Sequence, residues 1–122
     1  MNTLGMIAAF SAFLGIWLGH VAVRRIEFLS PTLVLPATVF AGLGITSEAF
    51  SLFVVNRPVS TILGILGITF LWDALEFARQ ERRVRRGHAP SNPGNPRHAN
   101  ILARYPAATT ADLLKEHRPG DQ

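Results

Sequence analysis

The sequence predicts an all-α fold: a three-helix transmembrane bundle whose third helix extends into the cytoplasm and leads into a largely irregular C-terminal tail. Three observations predict it. Three long apolar stretches follow one another within the first 78 of the 122 residues. Most charged residues come after the third stretch. With 48% hydrophobic residues but 12 lysines and arginines, the composition is that of a membrane-embedded half followed by a solvated half.

The first apolar stretch has the length of a membrane span. No charged residue occurs over residues 4–23, and a helix of that length is roughly 30 Å long, the thickness of the hydrocarbon core. A buried helix of a soluble bundle would carry a regular polar face, whereas the polar positions here are Ser11 and His20. A cleaved signal peptide would carry a basic region before a shorter apolar core. We therefore predict a first span over 4–23.

The second and third stretches predict spans over 31–53 and 58–78. Pro31 and Pro58 are both suited to the first turn of a helix. The third uncharged run ends at Asp73 and reaches full length only if the helix continues to about residue 78. Gly87 is a natural helix stop. These features predict a transmembrane domain over 1–87 and a cytoplasmic tail rich in Pro, Gly and Asn over 88–122.

The distribution of basic residues predicts the orientation. With three spans, the first loop and the tail lie on the same side, and they hold 11 of the 12 basic side chains, against Arg57 alone on the other side. Basic residues accumulate on the cytoplasmic side of multi-pass proteins. We therefore expect a protein of the inner or plasma membrane with its N-terminus outside and its C-terminus in the cytoplasm.

Small residues at helical spacing indicate close helix packing. Gly15 and Gly19 form one such pair, and Ser60, Gly64 and Gly67 form a second set in the third span. Small residues four apart let helix backbones approach closely in lipid. They favour packing within this chain's own three helices, and a dimerisation face is the alternative.

Polar residues cluster at the predicted cytoplasmic ends of the first and third spans. The candidate cluster consists of His20, Arg24, Arg25, Glu27, Asp73 and Glu76. Carboxylates at this depth are costly unless paired, so we expect Asp73 and Glu76 to meet His20, Arg24 or Arg25. One interpretation is a proton-relay or ligand site; the favoured one is a belt of ion pairs that fixes the helix register.

The tail begins with a run of arginines. Arg82, Arg83, Arg85 and Arg86 lie directly behind a span, where anionic lipid headgroups are the nearest partner. Nucleic acid is disfavoured because no aromatic residues alternate with the arginines to stack bases. Further along, Thr109 or Thr110 could cap a short helix over 111–117; the alternative is a tail without regular structure.

The sequence contains no recognisable catalytic motif. It has no cysteine, which excludes thiolate nucleophiles and cysteine-ligated metals. It also lacks a Gly-rich phosphate loop, a serine elbow and a zinc-binding HExxH motif. We therefore predict no catalytic residue, no metal site and no cofactor.

Two motifs resemble a known family. His20, Arg25 and Glu27 close the first span, and a second pattern follows in and after the third span. It consists of Trp72, Glu76, the run Gln80-Glu81-Arg82-Arg83-Val84, Gly87, Pro90 and Asn92-Pro93. Over roughly residues 1–95 the chain resembles a bacterial family of small membrane proteins catalogued as domain of unknown function 4491. The resemblance implies a three-span topology and no particular reaction.

Two functions follow as hypotheses. The first is a non-enzymatic accessory or scaffold subunit that engages a membrane protein partner or lipid headgroups. The alternative is a small transporter or proton-linked channel built around His20, Asp73 and Glu76. Three spans enclose no cavity of their own, so this alternative requires a homo-oligomer.

Overall fold

The computed structural model of the chain describes residues 1–113 and confirms the all-α fold. These residues form four helices and no strand: α1 (Leu4–Leu29), α2 (Val34–Phe53), α3 (Arg57–Arg85) and α4 (Pro96–Arg104). Helices α1, α2 and α3 are each long and apolar enough to cross a membrane, which suggests a membrane protein.

The ends of the long helices follow from local sequence signals. Asn56 caps α3, its side-chain oxygen accepting a hydrogen bond from the Val59 amide at 3.1 Å, and Pro58 lies in the first turn as predicted. Gly87 ends α3 with a φ of 77°. Pro31, in contrast, lies in the loop before α2, which begins at Val34.

Helix α3 lies between α1 and α2 and packs along both, whereas α1 and α2 hardly touch each other. A Cβ on Gly15 of α1 would lie 3.2 Å from Thr69 Oγ1 of α3. A Cβ on Gly44 of α2 would lie 2.8 Å from the Gly67 carbonyl oxygen of α3. Residues 67 and 69 point about 200° apart on a helix. The three helices therefore form a layer one helix thick.

The predicted small residues serve this internal packing. A Cβ on Gly19 would lie 2.8 Å from Asp73 Oδ1, and one on Gly67 would lie 2.7 Å from Glu48 Oε1. A Cβ on Gly64 would lie 3.9 Å from Glu48 Oε2. Ser60 donates its hydroxyl hydrogen bond to the Ser51 carbonyl of α2 at 2.7 Å. Gly15, Gly19, Ser60, Gly64 and Gly67 therefore all face a neighbouring helix of the same chain.

The described part of the tail, residues 88–113, is largely irregular, as predicted, but it contains a helix that the sequence analysis did not anticipate. Helix α4 occupies Pro96–Arg104 and buries His98 and Ile101. The helix expected over 111–117 lies mostly outside the described residues, and residues 111–113 are not helical.

Candidate functional site

Side chains of the tail cap the C-terminal end of α1. The last carbonyls of a helix have no partner within that helix. Here the Asn92 side-chain amide donates to the Phe28 carbonyl at 3.1 Å, and the Asn95 side-chain amide donates to the Ser30 carbonyl at 2.9 Å. Arg97 donates to the Glu27 carbonyl. We call Asn92, Asn95, Arg97 and His98 the tail clasp.

Glu27 is the residue around which the tail clasp closes. Its carboxylate is 1% exposed and lies 2.9 Å from both Arg97 Nη1 and His98 Nε2. Arg97 Nη1 also contacts Glu81 Oε2 of α3 at 2.8 Å. A buried carboxylate is stable only when it is paired and hydrogen-bonded, and Glu27 meets both conditions. The cluster joins α1, α3 and α4.

The hydrogen bonds of His98 define its tautomer. Its side chain is fully buried, and the Asn92 backbone amide donates to Nδ1 at 2.8 Å. Since Nδ1 is an acceptor, Nε2 carries the proton and donates it to Glu27 Oε1. His98 is therefore a neutral side chain whose two nitrogens both have fixed partners.

A second network follows α3. Glu76 is buried and forms ion pairs with Arg79 at 2.9 Å and with Arg83 at 3.4 Å. Arg83 also donates to Gln80 Oε1 at 2.8 Å. The Arg79 guanidinium lies 4.7 Å from the centre of the Trp72 ring, a cation–π distance. The residues at the core of the second sequence motif are thus in mutual contact.

The structure does not assemble the predicted polar cluster as one unit. Glu76 pairs with arginines of its own helix instead of with α1, and Glu27 pairs with the tail. His20, Arg24 and Arg25 are exposed, and none of them forms an ion pair with Asp73 or Glu76 among the described residues. Neighbours three or four apart on one helix reach each other more easily than side chains on separate helices.

Asp73 differs from the other carboxylates because it is buried without a hydrogen bond to residues 1–113. It is 5% exposed and packs against Gly19 of α1. His20 directly follows Gly19 in α1, but it forms no direct ion pair with Asp73 in the described residues.

The arginine run of α3 divides into two groups. Arg83 and Arg85 are engaged within the fold, Arg85 with Glu81 and with the face of the Tyr105 ring. Arg82 and Arg86 are exposed and have no ion-pair partner in the described part of the chain. Arg82 and Arg86 therefore have no competing contact there, whereas Arg83 and Arg85 already have partners within the fold.

Sequence reasoning missed the tail clasp. Asn95 caps α4 by accepting a hydrogen bond from the Arg97 amide at 3.1 Å, and Pro96 follows in the first turn. An Asn-Pro pair is a helix-start signal, so the beginning of α4 was readable from the sequence. The pairing of Glu27 with Arg97 and His98 was not, because about 70 residues separate them.

Within residues 1–113, no group of three or more histidine, aspartate or glutamate side chains is arranged to hold a metal ion. The His20 and Asp73 pair therefore lacks a third ligand there. We call the end of the molecule that holds Glu27, the arginines of α3 and the tail clasp the charged end. It contains a set of fixed ion pairs and several exposed arginines.

The comparisons with known proteins agree with the sequence motifs. No curated protein and no solved structure matches the chain. A family model described as Domain of unknown function (DUF4491) matches residues 2–95, which include Glu27, Trp72, Glu76 and Asn92 but end just before Arg97 and His98. Because this match covers most of the chain, the protein belongs to the family described as Domain of unknown function (DUF4491).

Proposed function

We propose that the protein is a non-enzymatic accessory or scaffold subunit of a bacterial inner or plasma membrane, with its charged end in the cytoplasm. Its long helices anchor the folded charged end to the membrane, and a membrane protein partner binds this end. The orientation is supported by the 11 basic residues assigned to that side.

The tail clasp is the observation that carries this proposal. Arg97 of α4 contacts both the buried Glu27 carboxylate of α1 and Glu81 of α3, and His98 contacts the same Glu27 carboxylate, so residues up to 113 of the charged end form one folded unit. Exposed residues of α4 and the exposed Arg82 and Arg86 therefore keep fixed relative positions. A partner can bind such a surface without the entropy cost of ordering its side chains first.

The shape of the helix layer also favours a partner. Three helices side by side form a layer in which α1 and α2 pack on α3 and hardly touch each other. The small residues of the predicted motifs already face this chain's own helices. Association with a second membrane protein would therefore use other surfaces, above all the charged end.

Purification of the full chain from its native membrane in mild detergent tests the proposal. We expect the wild type to co-purify with a partner in stoichiometric amount. The Glu27→Ala variant should lose this partner, because the tail clasp no longer has the carboxylate around which it closes. Glu48→Ala is the matched control: it removes the same charge from α2, where the Glu48 carboxylate has no hydrogen bond to a described residue. A lone monomer, or equal loss from both variants, contradicts the proposal.

Asp73 favours one alternative, a proton-linked transporter or channel. A buried intramembrane carboxyl without a hydrogen bond is a typical feature of a proton pathway. His20 directly follows Gly19, against which Asp73 packs. This function requires several copies of the chain around a common pathway.

Flux through proteoliposomes tests this alternative. A transporter would show proton-coupled flux that falls with Asp73→Asn and His20→Ala, while Glu48→Gln, a neutralised carboxylate on α2, would retain it. Flux that is unchanged in Asp73→Asn, or absent from the wild type, rules the alternative out.

A further inference from the structure

A basic cleft opens at the charged end between α1, α3 and the tail. Its volume is about 930 Å³. One face of α1 forms the first wall with Val21, Arg24, Arg25 and Phe28, which are spaced at three and four residues. Gln80 and Arg83 of α3 form the second wall, and Pro90 and Leu113 of the tail lie over it.

The arginines of this basic cleft are available to a ligand. Arg24 and Arg25 are exposed and form no ion pair with any residue up to 113. Arg83 is 45% exposed and is held in place by Glu76 and Gln80. Two acidic residues also line the basic cleft, Glu27 and Asp112. Glu27 is neutralised by the tail clasp, so positive charge predominates.

Apolar side chains accompany the arginines. Val21 and Phe28 flank them on the same face of α1, and Leu113 contributes from the tail. The basic cleft lies at the point where the uncharged stretch of α1 ends and its first arginines begin. In a bilayer this level is occupied by phosphate groups, with acyl chains directly beneath.

We propose that the basic cleft binds an anionic phospholipid. Arg24, Arg25 and Arg83 donate hydrogen bonds to the phosphate oxygens, and Val21, about one turn deeper in α1, contacts the upper part of an acyl chain. Basic pockets between transmembrane helices bind anionic headgroups in this way. This site differs from the surface arginine run, because Arg82, Arg85 and Arg86 do not line the basic cleft.

Native mass spectrometry of the full-length protein in detergent tests the site. The probes are phosphatidylglycerol and phosphatidylcholine with identical acyl chains. We expect the wild type to prefer phosphatidylglycerol and the double variant Arg24→Ala/Arg25→Ala to bind it about 25-fold more weakly, roughly fivefold for each arginine. Equal affinity of the wild type for the two lipids overturns the proposal and needs no variant.

The control variant separates a built site from general surface charge. Arg82→Ala/Arg86→Ala removes the same number of charges from exposed positions outside the basic cleft, and we expect it to retain nearly all of the affinity. Arg24→Lys/Arg25→Lys retains the charges and should bind within a few-fold of the wild type. A loss in Arg82→Ala/Arg86→Ala as large as in Arg24→Ala/Arg25→Ala would show that the headgroup is attracted by surface charge alone.

A competition experiment distinguishes a lipid from a soluble phosphate. Glycerol phosphate and inorganic phosphate are added to the wild-type complex with phosphatidylglycerol. We expect neither to displace the lipid at concentrations a hundredfold above it, because neither has an acyl chain that contacts Val21. Displacement at equal concentration would mean that the basic cleft takes a soluble phosphate compound, which contradicts the lipid assignment.

Discussion

At the residue scale, Glu27 determines how the charged end is built. It is a carboxylate with almost no exposure to solvent, and it stands where α1 leaves the apolar stretch. Arg97 supplies the compensating charge, and His98 supplies a neutral hydrogen-bond donor. A single buried acid therefore determines where two tail residues must lie.

Replacement of Glu27 should destabilise the fold strongly. We expect Glu27→Ala to lower the free energy of unfolding by about 3 kcal/mol, because it leaves the buried His98 Nε2–H without an acceptor and removes one of the two carboxylates that pair with Arg97. Unfolding of the helices with increasing denaturant in detergent measures this change. Glu48→Ala serves as the control, and a loss as large in that variant would refute the special role of Glu27.

The tautomer of His98 is a second prediction at this scale. We expect the neutral imidazole with its proton on Nε2, because Nδ1 accepts from the Asn92 amide. Nitrogen-15 NMR of the imidazole ring distinguishes the two tautomers directly. His88, an exposed histidine three residues after α3, provides a reference in the same sample. A proton on Nδ1 would contradict the described arrangement.

At the element scale, α3 carries the fold because both other spans pack on it. Its two sides meet glycines: Gly15 and Gly19 of α1 on one, and Gly44 of α2 on the other. Without a hydrophobic drive between helices in lipid, such close approach is a main source of association. The middle helix therefore needs small neighbours on two sides.

Two glycines of α2 allow a direct test of this packing. A Cβ on Gly44 would meet the Gly67 carbonyl oxygen at 2.8 Å, whereas one on Gly42 would meet nothing within 4 Å. We expect Gly44→Ala to lower the unfolding free energy by about 1–3 kcal/mol, as overpacking does, and Gly42→Ala to leave it equal or higher. Equal effects of the two substitutions would mean that α2 does not approach α3 as described.

The sequence predicted the spans but not how the charged end connects. The apolar stretches, Pro58 and the stop at Gly87 are local signals, and α3 begins and ends near the last two. The sequence analysis predicted that Glu76 would meet His20, Arg24 or Arg25 of α1, whereas it pairs with Arg79 and Arg83 of its own helix. The contact between Glu27 and His98 depends on the tail folding back, which no local pattern encodes.

At the scale of the whole molecule, the charges of the chain are strongly polarised. Among residues 1–113, every basic residue except Arg57 lies toward the end of the helix layer where the tail clasp closes. The chain has no cysteine, so a single introduced cysteine reports its own side of the membrane without background.

Orientation can therefore be measured in intact cells with a membrane-impermeant thiol reagent. We expect Asn2→Cys to react from outside and Arg104→Cys to react only after permeabilisation, because basic residues remain on the cytoplasmic side. Both positions are exposed, so a difference in labelling reports sidedness rather than burial. The reverse labelling pattern would refute the proposed topology.

The distance along the chain between Glu27 and its partners has a consequence for biosynthesis. Arg97 and His98 are synthesised about 70 residues after Glu27, when the residues of all three long helices have already been synthesised. Chains emerge N-terminal end first, so α1 must enter the membrane with an acid that has neither tail partner. Completion of the charged end is therefore the last step of assembly, and an interrupted chain would leave an unneutralised glutamate at the membrane surface.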